Sequence, residues 1–224
     1  MMMNLFSIFD PATSNIFSLK WISMIYVIFF IPLMFWFIPS RNVMFLNLIM
    51  NFLFFEFKML LSLKLNIFNL LIFLTLFMQI MLMNFLGMFP YIFVGSSHLS
   101  ISLSLSLALW FSFMIFGWMM NSNHMFTHLV PQNTPALLMP FMVLIETISN
   151  SIRFGTLAVR LSANMIAGHL LMTLISSSSN KLSMMMLILM IFSQSILVIL
   201  ELSVSVIQAY VFSILSLLYS TEVK

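Results

Sequence analysis

Polar and apolar positions in this chain separate into long uninterrupted apolar runs with short polar breaks. Between Lys64 and Glu146 there are 81 consecutive residues without Asp, Glu, Lys or Arg, several times the roughly 20 that cross a bilayer. Trp21 to Ile38 forms a first uncharged span of 18 residues, with Pro32 near its far end and Pro39 closing it. Leu65 to Val94 and Leu99 to Met120 give a second and a third, joined near Gly95-Ser96-Ser97-His98. Residues 42 to 64 differ, because Glu56, Lys58 and Lys64 interrupt the run; with Glu56 and Lys58 on a polar side, this predicts a helix lying along the membrane surface. After a polar loop, Asn121 to Thr134, Pro135 reads as the first-turn proline of a helix that runs to about Ile175. Ser176 to Lys181 is the turn before a second long helix, Leu182 to about Ser220. A helix of that length measures about 60 Å, twice the hydrocarbon thickness, so the pair must lie obliquely, bend or protrude.

The expected fold is thus an all-α integral membrane protein: about five membrane-crossing helices plus one surface amphipathic helix, the last two crossings forming a long oblique hairpin. It reads as a single membrane domain without internal repeats, comprising an N-terminal segment (1–20), a first crossing and surface helix (21–64), two crossings (65–120) and a polar-striped hairpin (135–220). The alternation Ile101-Ser102-Leu103-Ser104-Leu105-Ser106-Leu107 imitates a strand, but serines in a membrane helix bond back to their own carbonyls. Arg41, Lys58 and Lys64 mark the cytoplasmic or matrix-like side and Lys224 falls on it too, with Lys181 opposite.

Composition narrows the chemistry. With 62% apolar and 6% charged residues, no water-soluble surface can be assembled. The absence of cysteine removes disulfides, thiolate metal sites and thiol nucleophiles. Met1 to Lys20 carries Asp10 and no arginine, which fits neither a transit peptide nor a cleaved signal, so the segment is expected to be retained. A formal charge of +3 without a basic patch argues against nucleic acid. His124 and His128 stand at the spacing of a zinc-helix motif, but Met125 occupies the place of its glutamate, so they read as loop histidines, and neither metal nor cofactor is expected.

The polar residues of the last hairpin carry the interest. A charge at bilayer depth costs a few kcal/mol or more and by default signals an ion path, a relay or a paired structural group. Glu146, Arg153 and Arg160 recur every seven positions and so share one helical stripe, with Asn164 one turn on and His169 nearly opposite; two separate polar pockets follow. Glu201 and Gln208 share a stripe on the second helix, and one antiparallel register would pair both Arg160 with Gln208 and His169 with Glu201. A turn centred near 178 or 179 demands an axial slide of several residues to reach it. Glu146 lies about 21 Å from Arg160 along the helix, leaving the arginine no carboxylate within reach on its own helix.

Residues 156 to 171, Thr-Leu-Ala-Val-Arg-Leu-Ser-Ala-Asn-Met-Ile-Ala-Gly-His-Leu-Leu, resemble the signature of the a-subunit family of rotary ATP synthases. Gly87-Met88-Phe89-Pro90-Tyr91, Pro131-Gln132, Leu144-Ile145-Glu146-Thr147-Ile148-Ser149, Leu200-Glu201 and Ile207-Gln208-Ala209-Tyr210-Val211-Phe212 fit in order and spacing, so the resemblance covers nearly the whole chain. Asn4-Leu5-Phe6 and Phe9-Asp10-Pro11, with the bias toward Met, Phe and Leu, are similar to the mitochondrially encoded members. Asn133 and Phe154 depart from the usual glycine and proline, affecting a loop and a local helix bend.

The resemblance implies a multi-pass protein of the mitochondrial inner membrane, in the Fo sector of the ATP synthase. The chain itself would catalyse nothing. Its partners would be a rotor ring of small carboxylate-bearing subunits, the peripheral stalk, other membrane subunits and the lipid bilayer. Arg160 would face the ring; His169 and Glu201 would line a half-channel open to the intermembrane space, Glu146 one open to the matrix, with Asn164 and Gln208 supplying neutral hydrogen bonds. Two other readings are a stand-alone ion channel or transporter, which would need broken helices or repeats that the sequence lacks, and a structural subunit of a respiratory complex.

Overall fold

The computed structural model describes residues 5–13, 17–32, 37–61, 67–89, 91–130, 135, 138–179 and 183–222. Regular structure among them is entirely helical: α1 (Ser23–Phe29), α2 (Arg41–Leu60), α3 (Ile67–Gly87), α4 (Leu99–Met120), α5 (Ser122–Leu129), α6 (Met139–Ser178) and α7 (Met184–Glu222), with 3-10 turns at Leu5–Phe9, Leu19–Ile22 and Gly95–Ser97.

Five helices are long and apolar enough to cross a bilayer, but one of them differs from expectation. Among the described residues of Trp21 to Ile38, helix α1 ends at Phe29, because Pro32 disfavours the helical conformation at Ile31. Leu19–Phe29 reaches only about 16 Å. In its place α2 qualifies as a span by length and composition. Glu56 and Lys58, two positions apart, point to different sides of α2: Lys58 is exposed, while half-buried Glu56 accepts a hydrogen bond of 3.2 Å from the Tyr210 hydroxyl of α7. Pro135 does not open the long helix; α6 begins four residues later at Met139, with Pro140 in its first turn, where a missing N–H costs nothing. His124 and His128 lie on a helix and not in a loop, since Phe126 docks its ring edge on Trp118 of α4, 5.0 Å between centroids. Lys64, Lys181, Lys224 and Pro131 to Thr134 fall outside the described residues.

The core joins α2 and α3 to the hairpin. Phe57, Phe73, Phe77 and Ile80 pack with Leu157 and Leu161 of α6 and with Ala209, Phe212 and Leu217 of α7. Large apolar side chains point outward instead of inward along α7, Ile191, Phe192 and Ile199 among them, as a lipid solvent requires. The serines of α4 behave as expected: Ser102, Ser104 and Ser106 donate to the carbonyls of Leu99, Ile101 and Leu103 at 3.2, 2.8 and 3.2 Å.

The hairpin register is offset. Ser178 reaches the Met190 sulfur at 3.8 Å, Gly168 faces Glu201, and Asn164 bonds Gln208. These facing positions have index sums near 370, whereas a hairpin closing symmetrically at 178 or 179 would give about 357. The slide of about 13 residues along α7 is about 20 Å. It leaves the start of α7, Met184 and Met185, exposed beyond the end of α6.

Candidate functional site in the hairpin of the last two helices

The polar residues of α6 and α7 fall into three groups at different heights. At the middle, Arg160 is exposed on the face of α6 that no helix covers, while Leu157, Ala158, Leu161 and Ser162 turn inward. Among the described residues it has neither an ion pair nor a hydrogen bond. Its exposed neighbours one turn either way are small: Thr156, Ala163 and Asn164, then Ala167. Small residues at membrane depth let another helix approach closely. The expected pairing of Arg160 with Gln208 is not formed. Gln208 is 7% exposed and accepts a hydrogen bond of 3.0 Å from the Asn164 amide instead. Asn164→Ala strands this buried acceptor and is expected to destabilise the hairpin by about 1–3 kcal/mol, read as a lower melting temperature of the detergent-solubilised protein.

Toward the α6 C-terminus, Glu201 and His169 are half-buried. The carboxylate of Glu201 lies against Gly168, where a Cβ would collide with it, so the glycine is the space the carboxylate occupies. His169 meets the edge of Phe9 from the N-terminal turn, 6.5 Å between centroids. No hydrogen bond joins His169 to Glu201: His169 Nε2 and both Glu201 oxygens are buried without a protein partner among the described residues.

Toward the α6 N-terminus, Glu146 pairs with Arg153 at 3.7 Å, both about one-third exposed. The Arg153 guanidinium also stands over the Tyr219 ring, 5.6 Å from its centroid. The two residues line a cavity of about 310 Å³ whose other polar walls include Asn150, His128 and Tyr219. The seven-residue spacing put Glu146 and Arg153 on one stripe, but Asn150, His128 and Tyr219 carried no sequence signal that tied them to it. His128 and His124 bring their Nε2 atoms to 3.2 Å. Among the described residues no group of three or more His, Cys, Asp or Glu is arranged to hold a metal ion.

Polar groups therefore stand on either side of Arg160, Glu146 about 21 Å below and His169 about 14 Å above along α6. Residues 2–221 match the ATP synthase A chain family. The chain belongs to that family. It is 52% identical over 224 residues to ATP synthase subunit a of Drosophila melanogaster, 54% over 226 residues to that of Locusta migratoria and 52% over 226 residues to that of Anopheles gambiae, each comparison covering the whole of both chains. The chain thus shares full-length similarity with these insect relatives, and its cluster of polar groups lies within the residues matched to the family.

Proposed function

We propose that this chain is the proton-translocating a subunit of the ATP synthase Fo sector in the mitochondrial inner membrane, and that it feeds protons to and from rotor-ring carboxylates through two offset half-channels. The carrying observation is Arg160: an exposed guanidinium at membrane depth, flanked by small residues, without a partner among the described residues of its own chain. A guanidinium does not deprotonate, so its charge must be met by an anion. A carboxylate on a ring helix passing over Thr156, Ala163 and Ala167 meets it, one subunit at a time.

His169 and Glu201 line the half-channel on the intermembrane-space side, and the cavity holding Glu146 serves the matrix side. Their separation along α6 means that a proton crosses only by riding a ring carboxylate between them, while Arg160 obliges that carboxylate to ionise as it passes and repels a proton moving straight through. Asn164 and Gln208 hold each other beside the arginine and present neutral hydrogen-bonding groups to the arriving carboxylate. Each charge falling through 100 mV releases about 2.3 kcal/mol, which a leak past the arginine would waste.

The chain contains no cysteine, so a single introduced thiol tests the contact cleanly. Ala163→Cys or Ala167→Cys is expected to form a disulfide with a cysteine placed one turn from the ring carboxylate, and the bond is expected to stop ATP-driven proton pumping until reduced. A complex that contains the chain but yields no such cross-link, while thiols on an outer face of α7 cross-link equally rarely, would favour the structural-subunit reading.

A further inference from the structure

His124 and His128 are given no task by the mechanism above. They stand four apart in sequence, and on α5 (Ser122–Leu129) that spacing puts both rings on one face. Their Nε2 atoms come to 3.2 Å and the ring centroids to 4.4 Å, and both residues are exposed. The helix that carries them is fastened in place: it packs on α4 and α6, Phe126 sets its ring against Trp118, and Thr127 Oγ1 donates to the His124 carbonyl at 2.8 Å.

A separation of 3.2 Å suits two nitrogens on one metal ion. Imidazole binds zinc at about 2.0–2.1 Å, and two ligands at that distance stand roughly 2.9 Å apart at a right angle and roughly 3.4 Å apart at the tetrahedral angle. Met125 in the place of a glutamate removes the general base of a hydrolytic zinc helix, not a ligand. No third His, Cys, Asp or Glu completes the set among the described residues, so the remaining positions fall to water and the site is an exchangeable one, unlike the closed shell of a structural zinc. Two rings fixed on one helical turn offer the second nitrogen at high effective concentration, so the pair binds far more tightly than either ring alone.

His128 also lines the cavity that holds Glu146 and Arg153. Those two side chains offset each other's charge at 3.7 Å. An ion on the histidines adds two positive charges at the same wall, and a bound cation of this kind dominates its local field. Resting on the half-channel reading, we infer that His124 and His128 bind a divalent transition-metal ion, Zn2+ or Cu2+, beside the matrix-side cavity, and that the bound ion opposes the passage of protons through it. Imidazole favours both ions, copper the more strongly, whereas Mg2+ and Ca2+ require oxygen ligands and are not held. The metal acts as a brake on transport and takes no part in it.

The test uses the assembled ATP synthase in proteoliposomes with its matrix face outward. Binding is read with Cu2+ by electron paramagnetic resonance: the parent complex is expected to show a two-imidazole copper signal that disappears in His124→Gln and in His128→Gln. Identical copper spectra in parent and variants overturn the site. Proton pumping is read with a pH-sensitive dye while free Zn2+ is raised outside the vesicles. Zinc is expected to slow the parent, with recovery on adding a chelator, whereas His124→Gln is expected to pump normally without zinc and to need about a hundredfold more of it for the same inhibition. Equal zinc sensitivity of His124→Gln and the parent overturns the brake. Glu146→Gln separates this inference from the reading it rests on. Pumping lost in Glu146→Gln but undiminished in the copper-loaded parent overturns the brake while the half-channel stands; pumping intact in Glu146→Gln overturns the half-channel on this side and the brake with it.

Discussion

Arg160→Ala is expected to abolish coupled proton transport while the complex still assembles. The side chain has no ion pair or hydrogen bond among the described residues of its own chain, so its loss leaves α6 and its packing intact. What disappears, on the proposed mechanism, is the charge that ionises each passing ring carboxylate. Leaving a buried charge without its partner typically costs 3–5 kcal/mol, which corresponds to a rate loss on the order of a hundredfold or more. Arg160→Lys is expected to recover little, because an ammonium is a compact, strongly hydrated charge without the planar two-pronged donor set that engages a carboxylate. ATP-driven acidification of proteoliposomes, alongside the amount of this chain in the purified complex, makes the check. Normal pumping with alanine at 160 would sink the rotor reading.

The second large effect belongs to a residue without a side chain. Gly168→Val is expected to reduce proton pumping as severely as Glu201→Gln, since any branched carbon at 168 occupies the space of the Glu201 carboxylate. The carboxylate ends a flexible chain and can swing away, so the protein still folds; the cost falls on transport. Shortening the acid returns part of the room, and Gly168→Ala with Glu201→Asp is expected to pump better than Gly168→Ala alone. Measured as a double-mutant cycle, the two positions are expected to couple strongly. Additive losses would mean that the glycine serves helix approach and not the carboxylate.

Much of this was legible in the sequence because a lipid solvent imposes strong rules. Long uncharged runs must be helices, and Arg160, Glu201 and Glu146 stood out as expensive exceptions to them. The slide in the hairpin also followed, from the requirement that the stripes of α6 and α7 face one another, although Asn164, and not Arg160, bonds Gln208. Other features depended on contacts that hydropathy does not encode. Glu56 read as a surface charge until Tyr210, distant in sequence, was found beside it. The first apolar run of 18 residues is equally apolar whether or not it is continuous helix, and the influence of Pro32 on Ile31 decides where it breaks. Arg153 lies on the Glu146 stripe, but its position over Tyr219 depends on how α6 and α7 close around the cavity.

The serine bonds of the helices have a bearing on leakage. In α4 the hydroxyls of Ser102, Ser104 and Ser106, and in α7 those of Ser205, Ser213 and Ser216, each donate their one proton to a carbonyl three residues back. A hydroxyl committed in this way retains lone pairs but has no proton to pass on, so it cannot act as a link in a hopping wire. The chain can therefore carry many serines through the bilayer and remain an electrical insulator along those faces, confining conduction to the few polar groups whose protons are not already tied to the backbone.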